Sequence, residues 1–492
     1  MNKKIRRLGL FMLLCYSALF VRLNWLQINE KSAYDDNPLN RREVLRDFAK
    51  PRGTIESVDG VVLAQSIPST DKYELQRVYP KADLFAHVTG SFSLYFGSAG
   101  VEQEYNDILA GQTTKQSLKS FSDLFVDRTN VGDVTLTLDS VVQQVAKDAL
   151  GTRDGSVVAL DPRTGGIYAM WSHPSYDPNL LANHDFATAS AARTFLNNIP
   201  SKPLLAASYQ ERYFPGSTFK LVTATAGLES GKVTVTQPVY PTETQYTPPL
   251  TTRPIGNFDG ERCGGTLPEI LRVSCNTAFA RMAVDVGPVQ MVKTAEGFGF
   301  NQRVPIDLPS PARSVYPPLA AFDRNTPKLA QTGFGQNDVQ ATPLQMGLVA
   351  ATVANNGVML VPHVLFEARD SDGELLEKPV PRVWQTPMTP ATAAILRDAM
   401  IGVVQGGTGT KAQIPGVTVA GKTGTAQTDT NPPSSHAWFV AFAPAENPRV
   451  AVAVLVKGVP GVSEVTGGQL AAPIAKAVIQ AVLSRPDPLP NR

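Results

Sequence analysis

The tightest constraint on this chain sits at its start. Lys3, Lys4, Arg6 and Arg7 precede an uncharged, mostly apolar run from Leu8 to Val21. As a helix those residues reach only ~21 Å, short of a ~30 Å hydrocarbon core. A basic flank before so short a run also fits a cleaved signal peptide. The small-x-small pairing Cys15-Tyr16-Ser17, however, lies inside the run itself, where a cleavage site does not belong. Continuing through Leu23, Trp25, Leu26 and Ile28 gives a span of about 31 Å, with Arg22 snorkelling and Trp25 at the far interface. The expectation is therefore a retained anchor over residues 8–28. The basic flank, residues 1–7, stays in the cytoplasm and the rest of the chain is exported. Large Leu13 and Leu14 ahead of Cys15 argue against a lipoprotein.

This topology changes the meaning of the charge. Lys plus Arg number 45 against 43 Asp plus Glu, a formal +2. Four of the positive residues belong to the flank, so residues 8–492 carry 41 against 43. A near-neutral exported part without a basic run excludes a nucleic-acid binder. A hydrophobic content of 43% excludes a disordered chain, and 492 residues suggest two to four domains. Three cysteines make no disulfide scaffold, and five scattered histidines have no metal-ligand spacing. No metal and no cofactor is expected.

Residues 29–132 read as a mixed, polar first module. The stretch Asp35–Lys50 is charged, and Asp59-Gly60 signals a hairpin between Thr54-Ile55 and Val61–Leu63. A second module, 133–486, opens with a strand at Val134–Leu138 and a helix at Ser140–Leu150. The turn Asp161-Pro-Arg-Thr-Gly165 joins Gly155–Leu160 and Gly166–Trp171 into an antiparallel hairpin. Helical patterns follow at about 217–230, 267–285, 343–356 and 389–404, then strands at 417–427, 437–443 and 449–457. A last helix, about 469–484, precedes a Pro-rich tail, 487–492. Early and late strands with helices between them predict an α+β domain whose ends meet in one sheet.

Three short motifs carry chemistry. Phe214-Pro-Gly-Ser217-Thr-Phe-Lys220 opens a helical run, which puts Ser217 in a first turn where free N–H groups favour developing negative charge. Lys220 follows one turn later on the same face, and a buried lysine with a lowered pKa can take a serine proton. A helix cap with a solvated lysine has the same pattern, and Ser69-Thr-Asp-Lys72 is read as a surface instance. Ser274-Cys275-Asn276, 57 residues after Ser217, places a hydroxyl and an amide on alternate residues of a tight loop. A cap between two core helices would look alike. Gly421-Lys422-Thr423-Gly424-Thr425-Ala426 lies on a strand whose glycines allow another backbone close by. A peptide substrate could then pair with this edge by main-chain hydrogen bonds.

In this order the three motifs form the set shared by penicillin-binding proteins and β-lactamases, with Cys275 where that set has Asp. The chain resembles a class B penicillin-binding protein, of the penicillin-binding protein A type of actinobacteria. Arg52-Gly-Thr-Ile55 with Asp59–Ala64 resembles the non-catalytic pedestal signature. Val158–Gly165, Pro174–Asn179, Gly335-Gln336, Thr342–Gln345 and His436–Phe439 resemble the transpeptidase domain. The resemblance implies a β-lactamase-like antiparallel sheet flanked by helices, and D,D-transpeptidation of peptidoglycan. Ser217 would be the nucleophile, with Lys220 as base and Ser274 and Lys422 completing the proton network. Asn276, Thr423, Gly424 and Thr425 would bind substrate, and the N–H groups of Ser217 and Thr425 would form the oxyanion hole. The implied partners are donor and acceptor stem peptides, β-lactams as covalent inhibitors, and a separate glycosyltransferase among the cell-wall synthesis proteins of the membrane.

Cys263 and Cys275 both fall in the exported part, where they form either a disulfide or two buried thiols. A D,D-carboxypeptidase shares all three motifs and is the alternative activity. A non-enzymatic β-lactam sensor is disfavoured, because the seven residues before the anchor leave no cytoplasmic output domain. A secreted β-lactamase is disfavoured by the anchor and the extra module.

Overall fold

The computed structural model describes residues 3–29, 50–117, 130–428, 434–459, 461 and 466–487, with side chains at 27–29 and 117 excepted. Most of the charged stretch 35–50 and the tail beyond Asp487 lie outside the described residues. The N-terminal segment forms one helix, Lys3–Asn29. Its portion Lys3–Leu26 has mean hydropathy 1.5 and buries nothing against the protein, so it is long and apolar enough to cross a membrane.

The Asp59-Gly60 turn joins Ile55–Glu56 to Val62–Pro68 in antiparallel register, and Leu75–Val78 continues the meander. Beside it, the carboxylate of Glu102 is fully buried between the Arg52 and Arg77 guanidiniums, 2.6 Å from each. Both charges hold its pKa below the usual carboxylate value against the opposing effect of burial. The strand read as the opening of the second module sits in this same sheet. Gly132–Leu136 runs parallel to Ile55–Glu56 and antiparallel to Leu365–Asp370. Leu375–Glu377 closes a six-stranded sheet that joins chain segments more than two hundred residues apart. Sequence pattern gives a strand its period but not its partner, so that membership was not visible beforehand.

The second sheet has five antiparallel strands in the order Ala420–Gln427, Ser435–Ala443, Val450–Val456, Gly155–Leu160, Ile167–His173. The ends of the domain do meet in one sheet. Gly155–Leu160 and Val450–Val456 are buried at every residue, so both of their faces are covered and they read as continuous apolar runs. Helices Ser140–Leu150 and Gly467–Ser484 pack together against this sheet, and Pro343–Ala354, buried along its whole length, packs on its central strands. Ala420–Gln427 is an edge strand, and the third motif lies on it.

Candidate active site

Ser217 stands in a 3-10 turn, Gly216–Phe219, that leads directly into helix Lys220–Glu229. Two glycines make the turn possible. Gly216 has φ +52°, and a Cβ on it would lie 2.6 Å from the Thr425 carbonyl oxygen. Gly335, at φ +74°, comes so close that its Cβ would meet the Gly216 carbonyl oxygen at 2.2 Å, and its own carbonyl accepts from Gly216 N at 3.1 Å. From the neighbouring strand the Trp438 indole N–H donates to the Phe214 carbonyl at 2.9 Å. Phe219 stacks on Tyr316 at 5.5 Å. The turn is held on every side except that of Ser217, which faces a cavity of about 800 Å³. Among the described residues no hydrogen bond ties the Ser217 hydroxyl.

Beneath the cavity floor lie two fully buried lysines. Lys220 Nζ donates to the Ser274 carbonyl at 2.6 Å, to Asn276 Oδ1 at 2.7 Å and toward Ser274 Oγ at 3.2 Å. Lys422 Nζ donates to Ser274 Oγ at 2.8 Å and to the Thr423 carbonyl at 2.9 Å. No carboxylate is among these partners. Burial, and then the neighbouring Lys422 charge, pushes the Lys220 pKa well below its ordinary value. Burial pushes that of Lys422 down to about 7. Both amines therefore give up a proton more readily than a solvated lysine does.

Ser274 reaches both lysines because the chain turns sharply between helices Leu267–Arg272 and Asn276–Val286, with Ser274 at φ +63°. Cys275 caps the second helix and is joined to Cys263 by a disulfide with Cα atoms 5.7 Å apart. Of the two readings open for these cysteines, the structure selects the bond. It also explains the unusual middle residue: Cys275 is buried and anchors the loop, while Ser274 and Asn276 on either side line the cavity. Thr423 and Thr425 line it from the edge strand. The room left by Gly424 is filled by the chain itself, since a Cβ there would lie 3.0 Å from the Pro215 carbonyl oxygen, Thr218 and Trp438. Gly421 likewise accommodates the Phe439 ring. These glycines let the Ser217 turn and a core ring pack close against the strand.

The profile of the penicillin binding protein transpeptidase domain matches residues 155–480, and that of the penicillin binding protein A dimerisation domain matches residues 52–134. The chain belongs to the class B penicillin-binding proteins. It is similar to the peptidoglycan D,D-transpeptidase PbpA of Mycolicibacterium smegmatis, 37% identical over 98% of this chain and 99% of that protein. PbpA of Mycobacterium tuberculosis is 34% identical over the same shares. Among solved structures, penicillin-binding protein A of M. tuberculosis as a ceftriaxone acyl-enzyme superposes with TM-score 0.82 at 36% identity, covering 89% of this chain and all of that one. The penicillin G acyl-enzyme of the same protein gives 0.80.

Some parts of this penicillin-binding protein's site escaped the sequence reading. Thr408 follows helix Pro390–Gly406, lines the cavity and lies 2.6 Å from Thr423 Oγ1 through its hydroxyl. The cluster Gly406-Gly407-Thr408-Gly409 was the available signal. Gly407 packs on the Arg272 carbonyl and Gly468 on that of Thr408, so the loop is wedged between two helices. Asn257 joins the opposite wall to the second motif: its Oδ1 accepts from Thr277 N at 3.0 Å, and its Nδ2 donates to the Glu243 and Glu261 carbonyls. Nothing in the local sequence marks that residue.

Proposed function

We infer that this chain is a membrane-anchored peptidoglycan D,D-transpeptidase that works through a serine acyl-enzyme and is acylated by β-lactams. The observation that carries the reading is one serine on the floor of a cavity, above two buried lysines that share a single hydroxyl, that of Ser274.

Ser217 Oγ attacks the carbonyl between the two terminal D-alanines of a donor stem peptide, and its proton passes to the neutral Lys220 amine. The tetrahedral oxyanion is met by the N–H groups of Ser217 and Thr425. Collapse breaks the peptide bond, and the departing D-Ala amine takes a proton delivered through Ser274 and Lys422. An amine of a neighbouring stem then attacks the ester, which releases Ser217 and forms the cross-link. Asn276 holds the donor backbone, and Thr423 and Thr425 hold its terminal carboxylate. Gly424 keeps the strand close enough to the nucleophile turn for both threonines to face the cavity. The supports are the burial of both lysines without a carboxylate partner and the place of each motif at the cavity wall.

In this reading residues 1–7 are cytoplasmic, 8–28 cross the membrane, 29–132 form the pedestal and 133–486 the catalytic domain, followed by the tail 487–492. The four cations ahead of the apolar run support the orientation, with the catalytic domain outside the cell. In the same reading a separate glycosyltransferase among the cell-wall synthesis proteins of the membrane supplies the glycan strands. The test is labelling of the full chain by a fluorescent penicillin beside Ser217→Ala. Labelling of the parent alone is the expected result, and equal labelling of the variant overturns the assignment of the nucleophile. A thioester substrate offered with and without a D-amino acid acceptor separates aminolysis from the hydrolysis of a carboxypeptidase.

A further inference from the structure

Two segments bring three arginines to a cavity other than the catalytic one. Arg212 lies five residues before Ser217, and Arg303 and Arg313 lie in the segment 301–318. All three are exposed, and all three line a cavity of about 710 Å³ floored by Pro311, Val315 and Tyr316. The two segments are fixed in place. Tyr213 and Ala341 exchange backbone hydrogen bonds of 2.9 and 2.8 Å, Val315 and Gln340 exchange bonds of 2.7 and 3.0 Å, and Asn301 Oδ1 accepts from Tyr316 N at 3.0 Å. Arg212 Nη1 lies 3.5 Å from the Arg313 carbonyl oxygen.

The acids within these segments are committed elsewhere. Glu211 accepts from the Tyr213 hydroxyl and from Lys457. Asp307 accepts from the Tyr105 hydroxyl at 2.7 Å and from the backbone N–H groups of Val364 and Leu365. Among the described residues none of the three guanidiniums has an ion-pair partner. Like charges held around one concavity repel each other, and a bound oxyanion relieves that repulsion while the planar guanidinium forks offer paired N–H donors to it.

We propose that this cavity is an exosite for an oxyanion, a phosphodiester or a carboxylate, carried on the nascent wall polymer whose stem peptide occupies the catalytic cavity. The proposal rests on the transpeptidase reading above. Five residues of fully extended chain reach at most about 18 Å, so Arg212 and Ser217 are close enough for one polymer segment to engage both. The proline and valine floor offers apolar contact to the polymer backbone between its charges.

The test uses the full chain in non-ionic detergent and two fluorescein-tagged probes of equal length, an oligo(glycerol phosphate) and an oligoglutamate, read by fluorescence anisotropy at about 150 mM salt. The variant carries Arg212→Gln, Arg303→Gln and Arg313→Gln together. A control carries Arg382→Gln, Arg397→Gln and Lys411→Gln. The expected result is binding by parent and control and a loss of about tenfold or more in the triple-arginine variant. The probe that binds tighter identifies the source of the oxyanion. Equal binding by the triple-arginine variant, or no binding of either probe by the parent, overturns the proposal. Fluorescent-penicillin labelling is measured in parallel and is expected to be equal in all three proteins, which shows that the variant is folded. Failure of the parent to label would refute the transpeptidase reading by itself, whatever the probes do.

Discussion

Lys220 and Lys422 converge on one hydroxyl: their Nζ atoms lie 3.2 and 2.8 Å from Ser274 Oγ. Two ammonium groups cannot both remain charged at that separation in a buried site without large cost, since burial and mutual repulsion act in the same direction. The arrangement therefore favours a neutral amine beside Ser274. It also leaves Ser274 as the link through which a proton can pass from one lysine to the other.

The first prediction concerns Lys220. Its depressed pKa means that the neutral amine is present at far lower pH than for a solvated lysine. Lys220→Arg keeps a positive charge that cannot be given up at any working pH, so acylation by a fluorescent penicillin should fall about 10²–10⁴-fold. Near-parental labelling by that variant would exclude Lys220 as the base.

Lys422 gives a stability prediction whose sign follows from proton counting. Its folded pKa is about 7. The unfolded value is about 10.4, so between these two the unfolded chain holds the extra proton and stability rises with pH, by on the order of 1.4 kcal/mol per unit. Below about 7 both states hold the proton and the effect vanishes. Thermal melts at pH 7 and pH 9 should thus show a larger gain, or a smaller loss, for the parent than for Lys422→Met. Identical pH responses would mean that Lys422 is not buried in this way. The variant should also acylate poorly while melting higher at pH 7, because it replaces a buried amine by an apolar side chain of similar length.

Gly216→Ala tests the interlock under Ser217. An alanine at φ +52° costs about 1–2 kcal/mol, and its Cβ would clash with the Thr425 carbonyl. The turn must shift to relieve the clash, and a displacement of about 1 Å at a nucleophile can cost about 10²-fold. The measured second-order acylation constant should drop by that order while circular dichroism stays native. An unchanged constant would show that the turn does not depend on this contact.

The Cys263–Cys275 disulfide closes a loop with a sequence separation of 12. Its replacement by Cys263→Ser with Cys275→Ser should lower stability by about 2–3 kcal/mol in denaturant titration. Ser274 is the next residue, so acylation should slow as well, and the deficit should exceed what the loss of folded fraction explains.

Several features of the site were legible because they are local. The Ser217–Lys220 spacing is one helical turn, and that register survives in any fold that keeps the helix. The strand carrying Lys422–Thr425 was legible from its local pattern, although its place at the sheet edge was not, and the tight loop at Ser274–Asn276 followed from the break between two helical patterns. The third motif's glycines signalled a close approach, but which neighbour fills the space was not legible, since close packing looks the same in sequence whether the neighbour is a ligand or the protein's own turn. Thr408 and Asn257 were missed because their importance lies in partners at Thr423 and Thr277, and those partners are not encoded by periodicity.

By itself, then, the sequence determined the long apolar N-terminal helix, the order of the strands and helices, and the candidate serine–lysine pair Ser217 and Lys220. Each of these is set by hydropathy or by spacing within one element. Only the tertiary structure decided that Gly132–Leu136 joins the first sheet, that Cys275 is spent on a disulfide, and that Lys220 and Lys422 meet at one hydroxyl. Those facts depend on which distant segments become neighbours. Neighbourhood is fixed by the burial of whole faces against one another, and a lowered lysine pKa exists only after that burial has removed the water.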